Sequence, residues 1–123
     1  MRLLLDTHVY LWARLGSKRL PQRFAAAILS PQNTKYVSAV SLAEIAVKTT
    51  IGKLLPAALA SLELENTGYA PLDFTAAHAQ TLAKLPLCHR DPFDRMLLAQ
   101  AISENLVFLT VDEKCRQYQV ALL

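Results

Sequence analysis

At 123 residues the chain has one domain's length, enough to bury a core without staples, and its two cysteines form neither a disulfide framework nor a metal-ligand spacing. Its hydrophobic fraction is high (53%), yet the longest unbroken apolar run, Phe24 to Leu29, is far too short to span a bilayer, and Asp6 interrupts any secretory leader. The formal charge of +3 tilts toward a polyanionic partner, and the thiols fit a reducing cytoplasm.

Met1 to Leu5 is an apolar run broken at Asp6, short enough to favour a buried strand. Val9, Leu11, Trp12 and Leu15 then follow helical spacing up to Gly16, a helix stop. Pro21 suits the first turn of a second helix reaching about Ser30. Lys35 to Ala39 reads as a second strand. Ser38 or Ser41 opens a helix with Leu42, Ile45, Ala46 and Thr49 on one face, closing near Gly52. A helix over Ala57 to Asn66, a brief strand over Tyr69 to Leu72 and a Thr75-capped helix through Leu85 come next. After a loop, Asp91-Pro92 starts a helix from Phe93 to Glu104; Val107 to Thr110 is a fourth strand, and Val120 to Leu123 offers a last one. Strands alternating with helices predict an α/β chain, one α/β/α domain over residues 1–123 around a mainly parallel sheet of four to five strands.

In such a sheet the ligand crevice lies outside the carboxyl ends of the strands. Asp6 directly follows the first strand and Asp112 the fourth by two residues, while Glu44 and Asp94 stand in the first turns of their helices. Each acid has a purely structural reading. Asp6, Asp91 and Asp112 suit helix N-caps, Ser41-Leu-Ala-Glu44 fits a capping box, and Asp94 complements a helix dipole. Taken together they are harder to explain that way, because carboxylates gathered on one edge repel one another unless a cation stands among them. Hard oxygen ligands suit Mg²⁺ or Mn²⁺, and the implied chemistry is phosphodiester hydrolysis. No His/Cys cluster argues for zinc, and neither a Gly-rich phosphate loop nor a nucleophile elbow is present.

Arg90 and Arg95 are candidate phosphate contacts, with Arg95 alternatively paired to Asp91. Lys48, four residues after Glu44, suits either a helix ion pair or a phosphate. His78 reads as structural, His8 and His89 flank the acids, and both cysteines read as incidental. Tyr10, Leu11, Trp12 and Leu15 make either core or an apolar groove for a partner helix.

Four blocks carry a resemblance to the PIN-domain nucleases, specifically the VapC-type toxins of type II toxin-antitoxin systems. They are Leu-Leu-Asp6-Thr-His-Val with Leu11-Trp12; Val-Ser-Ala-Val-Ser-Leu-Ala-Glu44-Ile-Ala-Val-Lys48 with Gly52-Lys-Leu; Leu-Pro-Leu-Cys-His-Arg-Asp91-Pro-Phe-Asp94-Arg; and Leu-Thr110-Val-Asp112. The third is highly specific to one branch. The resemblance implies a PIN-type α/β/α fold and a Mg²⁺- or Mn²⁺-dependent endoribonuclease acting on RNA. By position, Asp6, Glu44, Asp94 and Asp112 are its catalytic quartet, with Asp6, Asp94 and Asp112 as metal ligands, Asp91 as an extra acid and Thr110 as a polar support. It further implies a homodimer held in check by a small antitoxin protein. Ala43 stands where this branch often has an aromatic residue. Competing readings are a PIN-like module that binds RNA or a partner without cutting, and a phospho-receiver domain. The latter needs a phospho-accepting aspartate and a late lysine that are not evident. An aspartyl phosphatase expects an acid two residues after Asp6, where His8 stands.

Overall fold

Leu3, Leu4 and Leu5 are all fully buried, but they point to opposite sides of the sheet. Leu3 and Leu5 join a cluster with Val9, Phe24 and Ile45, and Leu4 joins one with Leu97, Leu98 and Phe108. A strand covered on both faces is apolar throughout instead of alternating, which is why its run is unbroken. It forms β1 (Arg2–Leu5), at the centre of a computed structural model that describes residues 1–123.

The other strands are β2 (Thr34–Ser38), β3 (Ala70–Leu72) and β4 (Val107–Leu109), all parallel, in the order β3-β2-β1-β4. The chain steps outward from β1 to β2 to β3, then returns to the far side of β1. Strand order therefore reverses between β1 and β4, and it is beyond the carboxyl ends at such a reversal that open parallel sheets place their ligand crevice. The proposed last strand is reduced to a single parallel bridge, Phe108 to Leu122, so the sheet has four strands.

The helices are α1 (Thr7–Leu15), α2 (Gln22–Leu29), α3 (Ala39–Thr50), α4 (Ala76–Lys84) and α5 (Pro92–Glu104). One helix differs from the sequence reading, and of the two serines offered as the start of α3 only one holds. Ala57 to Asn66 is not an α-helix: a 3₁₀ helix spans Pro56–Leu62, because Tyr10 donates to the carbonyl of Ser61 and Arg14 to those of Ala60 and Glu63, oxygens that a continuing helix would use. Nor does Ser41 open α3. Ser38 caps it by accepting from the Val40 N–H at 3.0 Å, while Ser41 is buried and accepts from the Thr7 hydroxyl at 2.9 Å. Glu44 is thus released from any capping box. No helix is long and apolar enough to cross a membrane.

On α1, Tyr10 and Leu11 are core, a burial worth roughly 1.5–3 kcal/mol for such side chains, so they do not line a partner groove. Trp12 is half-buried and Leu15 exposed. Beneath α4 and α5 runs a buried polar relay. The Ser38 hydroxyl donates to Gln100 Oε1 at 2.5 Å, Gln100 Nε2 donates to the Asp73 carbonyl at 3.2 Å, and His78 Nδ1 accepts from the Thr75 N–H at 3.0 Å. His78 Nε2 meets Glu104 at 2.8 Å, so both ring nitrogens are used and the histidine is structural.

Candidate active site at the carboxyl edge of the sheet

Asp6 leaves β1 at the point where strand order reverses, and its N–H bonds the Leu109 carbonyl at 2.9 Å, tying it to the end of β4. One carboxylate oxygen accepts from the His8 N–H as the cap of α1 (3.4 Å), and the other accepts from the Thr110 hydroxyl at 2.7 Å. Thr110 Oγ1 in turn accepts from the Asp112 N–H at 3.1 Å, so one threonine sets the positions of both acids. Asp112 caps the 3₁₀ turn Glu113–Gln117 with one oxygen, and Asp91 caps α5 by accepting from the Asp94 N–H at 3.0 Å. Capping occupies Oδ1 of each carboxylate. It fixes the acids without exhausting them, so the structural and chemical readings are compatible.

Glu44 rises from α3, 2% exposed, and pairs with Lys48 through Oε2 at 2.5 Å; Oε1 is buried with no hydrogen-bond partner. Asp94, half-buried in the first turn of α5, shows the convergence most directly. Burial pushes its carboxyl up to about 7, and the charges of Asp6, Asp91, Glu44 and Asp112 all push the same way. Burial likewise raises Asp6 despite the Thr110 hydrogen bond. Burial alone would lower Lys48, but the hydrogen bond and charge of Glu44, with Asp91 and Asp94, outweigh it and raise its pKa. The four predicted acids and Asp91 therefore share one field, with Lys48 the ammonium that answers it.

The two arginines sit differently. Arg95 does not pair with Asp91. Its guanidinium donates to the carbonyls of Pro86 (2.8 Å) and Leu85 (3.4 Å) and to the Tyr118 hydroxyl (3.3 Å), pinning the loop ahead of α5. Arg90 and Arg95 line a recess of about 540 Å³ with Leu82, Leu87, Pro92 and Met96. His8 is exposed beside Asp6. His89 is buried, its Nδ1 2.8 Å from the Tyr118 hydroxyl and its Nε2 3.8 Å from Asp94 Oδ2.

A profile of the PIN domain family matches residues 3–121, nearly the whole chain. The chain belongs to the PIN domain family. Among solved structures similar to this PIN domain is VapBC2 from Rickettsia felis bound to a DNA fragment from its promoter, 20% identical over 100% of this chain and 98% of that one, with a TM-score of 0.78. VapBC-1 from nontypeable Haemophilus influenzae is 19% identical over 100% and 97%, with a TM-score of 0.73. VapC20 of Mycobacterium tuberculosis, a Sarcin-Ricin loop cleaving toxin, is 17% identical over 94% and 93%, with a TM-score of 0.66. At these identities the likeness establishes the fold. No curated protein matches the sequence.

The acids of this PIN domain suit a divalent cation on two observations of the structure. Glu44 holds a buried, unpartnered oxygen, and the Asp94 carboxyl is raised by burial first and then by the charges of four neighbouring carboxylates. Both costs fall if positive charge occupies the crevice. Sequence reasoning missed Tyr118, whose hydroxyl accepts from the Cys88 and His89 N–H groups (3.3 and 3.2 Å) and from Arg95. It also read Cys115 as incidental, although the thiol is buried close to Asp112 and is pushed up to about 12, by burial first and then by the charge of Asp112. The spacing of Asp112 and Cys115, three residues apart at the end of a strand, was the one available signal.

Proposed function

We propose that this chain is a divalent-metal-dependent endoribonuclease and the toxin of a type II toxin-antitoxin pair, with the PIN domain occupying residues 1–123. The observation that carries the reading is Asp94, a carboxylate raised to about 7 at the strand-order reversal, where four further acids face it. Such a concentration of negative charge is costly to a fold that uses it for nothing, and it is what a hard cation requires.

In this reading Asp6, Asp94 and Asp112 hold the ion, Mg²⁺ or Mn²⁺, and Glu44 completes the catalytic quartet through its free Oε1. When bound, such an ion supplies positive charge to the scissile phosphoryl group and acidifies water. The rest is done by the chain itself. Thr110 keeps Asp6 and Asp112 in register through its two hydrogen bonds. Asp91 holds the first turn of α5 so that Asp94 faces Asp6. Lys48 holds Glu44 through Oε2 and offers its ammonium, its side chain 28% exposed, to a phosphate oxygen. Arg90 and Arg95 extend the positive surface past α5, along the path of an RNA backbone. Arg95 does so with the guanidinium N–H groups that the loop carbonyls leave over.

The toxin role and a protein antitoxin as partner rest on the VapBC complexes that share the fold, as does cleavage of structured RNA on VapC20. A homodimer and a cytoplasmic location complete the proposal. The test is cleavage of a mixed RNA substrate by purified protein. Cleavage with Mg²⁺ or Mn²⁺, abolished by chelation and by Asp6→Asn, is expected. RNA binding without cleavage under any divalent ion would overturn the enzymatic reading in favour of a binding module.

A further inference from the structure

His89, Asp112 and Cys115 come from the loop before α5, the end of β4 and the turn that follows it. A ring nitrogen, a carboxylate oxygen and Sγ from the three lie within 4.8 Å of one another. The hard-ion cluster proposed above uses only Asp112 of this set. The His89 side chain is 4% exposed; Tyr118 holds Nδ1, and Nε2, 3.8 Å from Asp94 Oδ2, is buried with no hydrogen-bond partner. Cys115 is 1% exposed, and the half-buried Asp112 opens the cluster to solvent. A nitrogen, an oxygen and a sulfur are not a magnesium donor set, since Mg²⁺ takes oxygen. Imidazole with thiolate selects borderline transition ions, Zn²⁺ foremost.

We propose that His89, Asp112 and Cys115 form a second, inhibitory site for Zn²⁺ that shares Asp112 with the acidic crevice. Zinc donors sit roughly 2.0–2.3 Å from the ion, so the three groups draw inward by on the order of 1 Å on binding. The Sγ–H bond breaks as the Zn–S bond forms, and the proton leaves to buffer. The lone pair of Nε2 completes the imidazole bond, and the Tyr118 hydroxyl, 2.8 Å from Nδ1, holds the ring in place from outside, as partners of metal-bound histidines do. Three protein ligands leave the fourth tetrahedral position to water. Asp112 is thereby withdrawn from the hard-ion cluster. The inhibitory consequence rests on the nuclease reading; the binding itself does not.

Co²⁺ added to the reduced, metal-free protein is the probe. The expected result is a thiolate-to-cobalt charge-transfer band that saturates at one ion per chain and is displaced by Zn²⁺. It should vanish in Cys115→Ala and persist in Cys88→Ala. Cys115→Ala removes a buried core atom, so its melting curve is recorded. His89→Gln keeps the thiol and should weaken Co²⁺ binding by at least about tenfold. No band in the folded wild type, or a band that survives Cys115→Ala, overturns the site. In RNA cleavage at saturating Mg²⁺, Zn²⁺ should inhibit the wild type. Half-inhibition should need at least about tenfold more Zn²⁺ in Cys115→Ala, whose uninhibited rate is unchanged. Equal sensitivity overturns the inhibitory role. If no divalent ion supports cleavage, the nuclease reading falls, and the cobalt titration still decides the site.

Discussion

Two partly buried polar regions share helix α5, and they are solved in opposite ways. In the relay beneath α4 and α5, Ser38, Gln100, His78 and Glu104 hand hydrogen bonds from one to the next, and both His78 nitrogens have partners. Among the acids Glu44 Oε1 and His89 Nε2 are buried without any, and the Asp94 carboxyl is raised by burial and then by the other carboxylates. A satisfied network makes a structure specific, whereas an unsatisfied one persists only where something else will occupy it. The comparison separates a histidine with both ring nitrogens committed, His78, from one with a buried nitrogen left over, His89.

The sharpest way to break this contrast is to remove one polar side chain's function on each side. Asp94→Asn should lower Mg²⁺-dependent RNA cleavage by about 100-fold or more while raising the melting temperature of the metal-free protein, because a repelled carboxylate is gone. Retained cleavage would remove Asp94 from the site. His78→Ala should do the reverse. Losing a buried ring with its Thr75 and Glu104 partners should cost about 2–4 kcal/mol in urea unfolding, with cleavage per folded molecule unchanged.

The pH dependence of the metal-free protein follows from Asp94. Its folded carboxyl titrates at about 7, above the value near 4 of an unfolded aspartate, so between the two the folded state holds a proton that the unfolded state has released. Stability should therefore fall as pH rises across that window and level off above it. Asp6, also raised by burial, adds the same sign. Asp94 is partly solvated, so screening reduces the effect, and Mg²⁺ or Asp94→Asn should flatten it. Thermal melts from pH 4 to pH 8, with and without Mg²⁺, give the comparison; a stability that rises with pH would contradict it.

The smallest effect expected is at Asp91. Asp91→Ala loses the cap of α5 and should cost about 1 kcal/mol, while Asp91→Asn keeps the cap and should reduce cleavage less than Asp94→Asn. Equal activity losses in the two Asn variants, with folding intact, would erase the distinction between the acid that positions and the acid that meets its neighbours.

Much of this was legible in the chain. The apolar run of β1, the Gly16 stop (φ 64°) and the Asp91-Pro92 helix start are local signals that tertiary structure respected. Acids after strands could be assigned to one edge because parallel topology sends every strand's carboxyl end the same way. What failed did so for tertiary reasons. The segment after Pro56 became a short 3₁₀ helix because α1 claims its carbonyls, and Ser41 lost its capping role to Ser38 when Thr7 took its hydroxyl.

Sequence by itself determined the class of fold, the acids and the edge they occupy, since periodicity, helix punctuation and strand ends are properties of neighbouring residues. Only the tertiary structure decided which polar groups are satisfied. Arg95 is committed to loop carbonyls, His78 to Thr75 and Glu104, and His89 with Cys115 to the flank of Asp112. Apart from the local capping box of Thr75 and His78, each of those pairings joins residues on different elements, and no local pattern records where a side chain's last hydrogen bond goes.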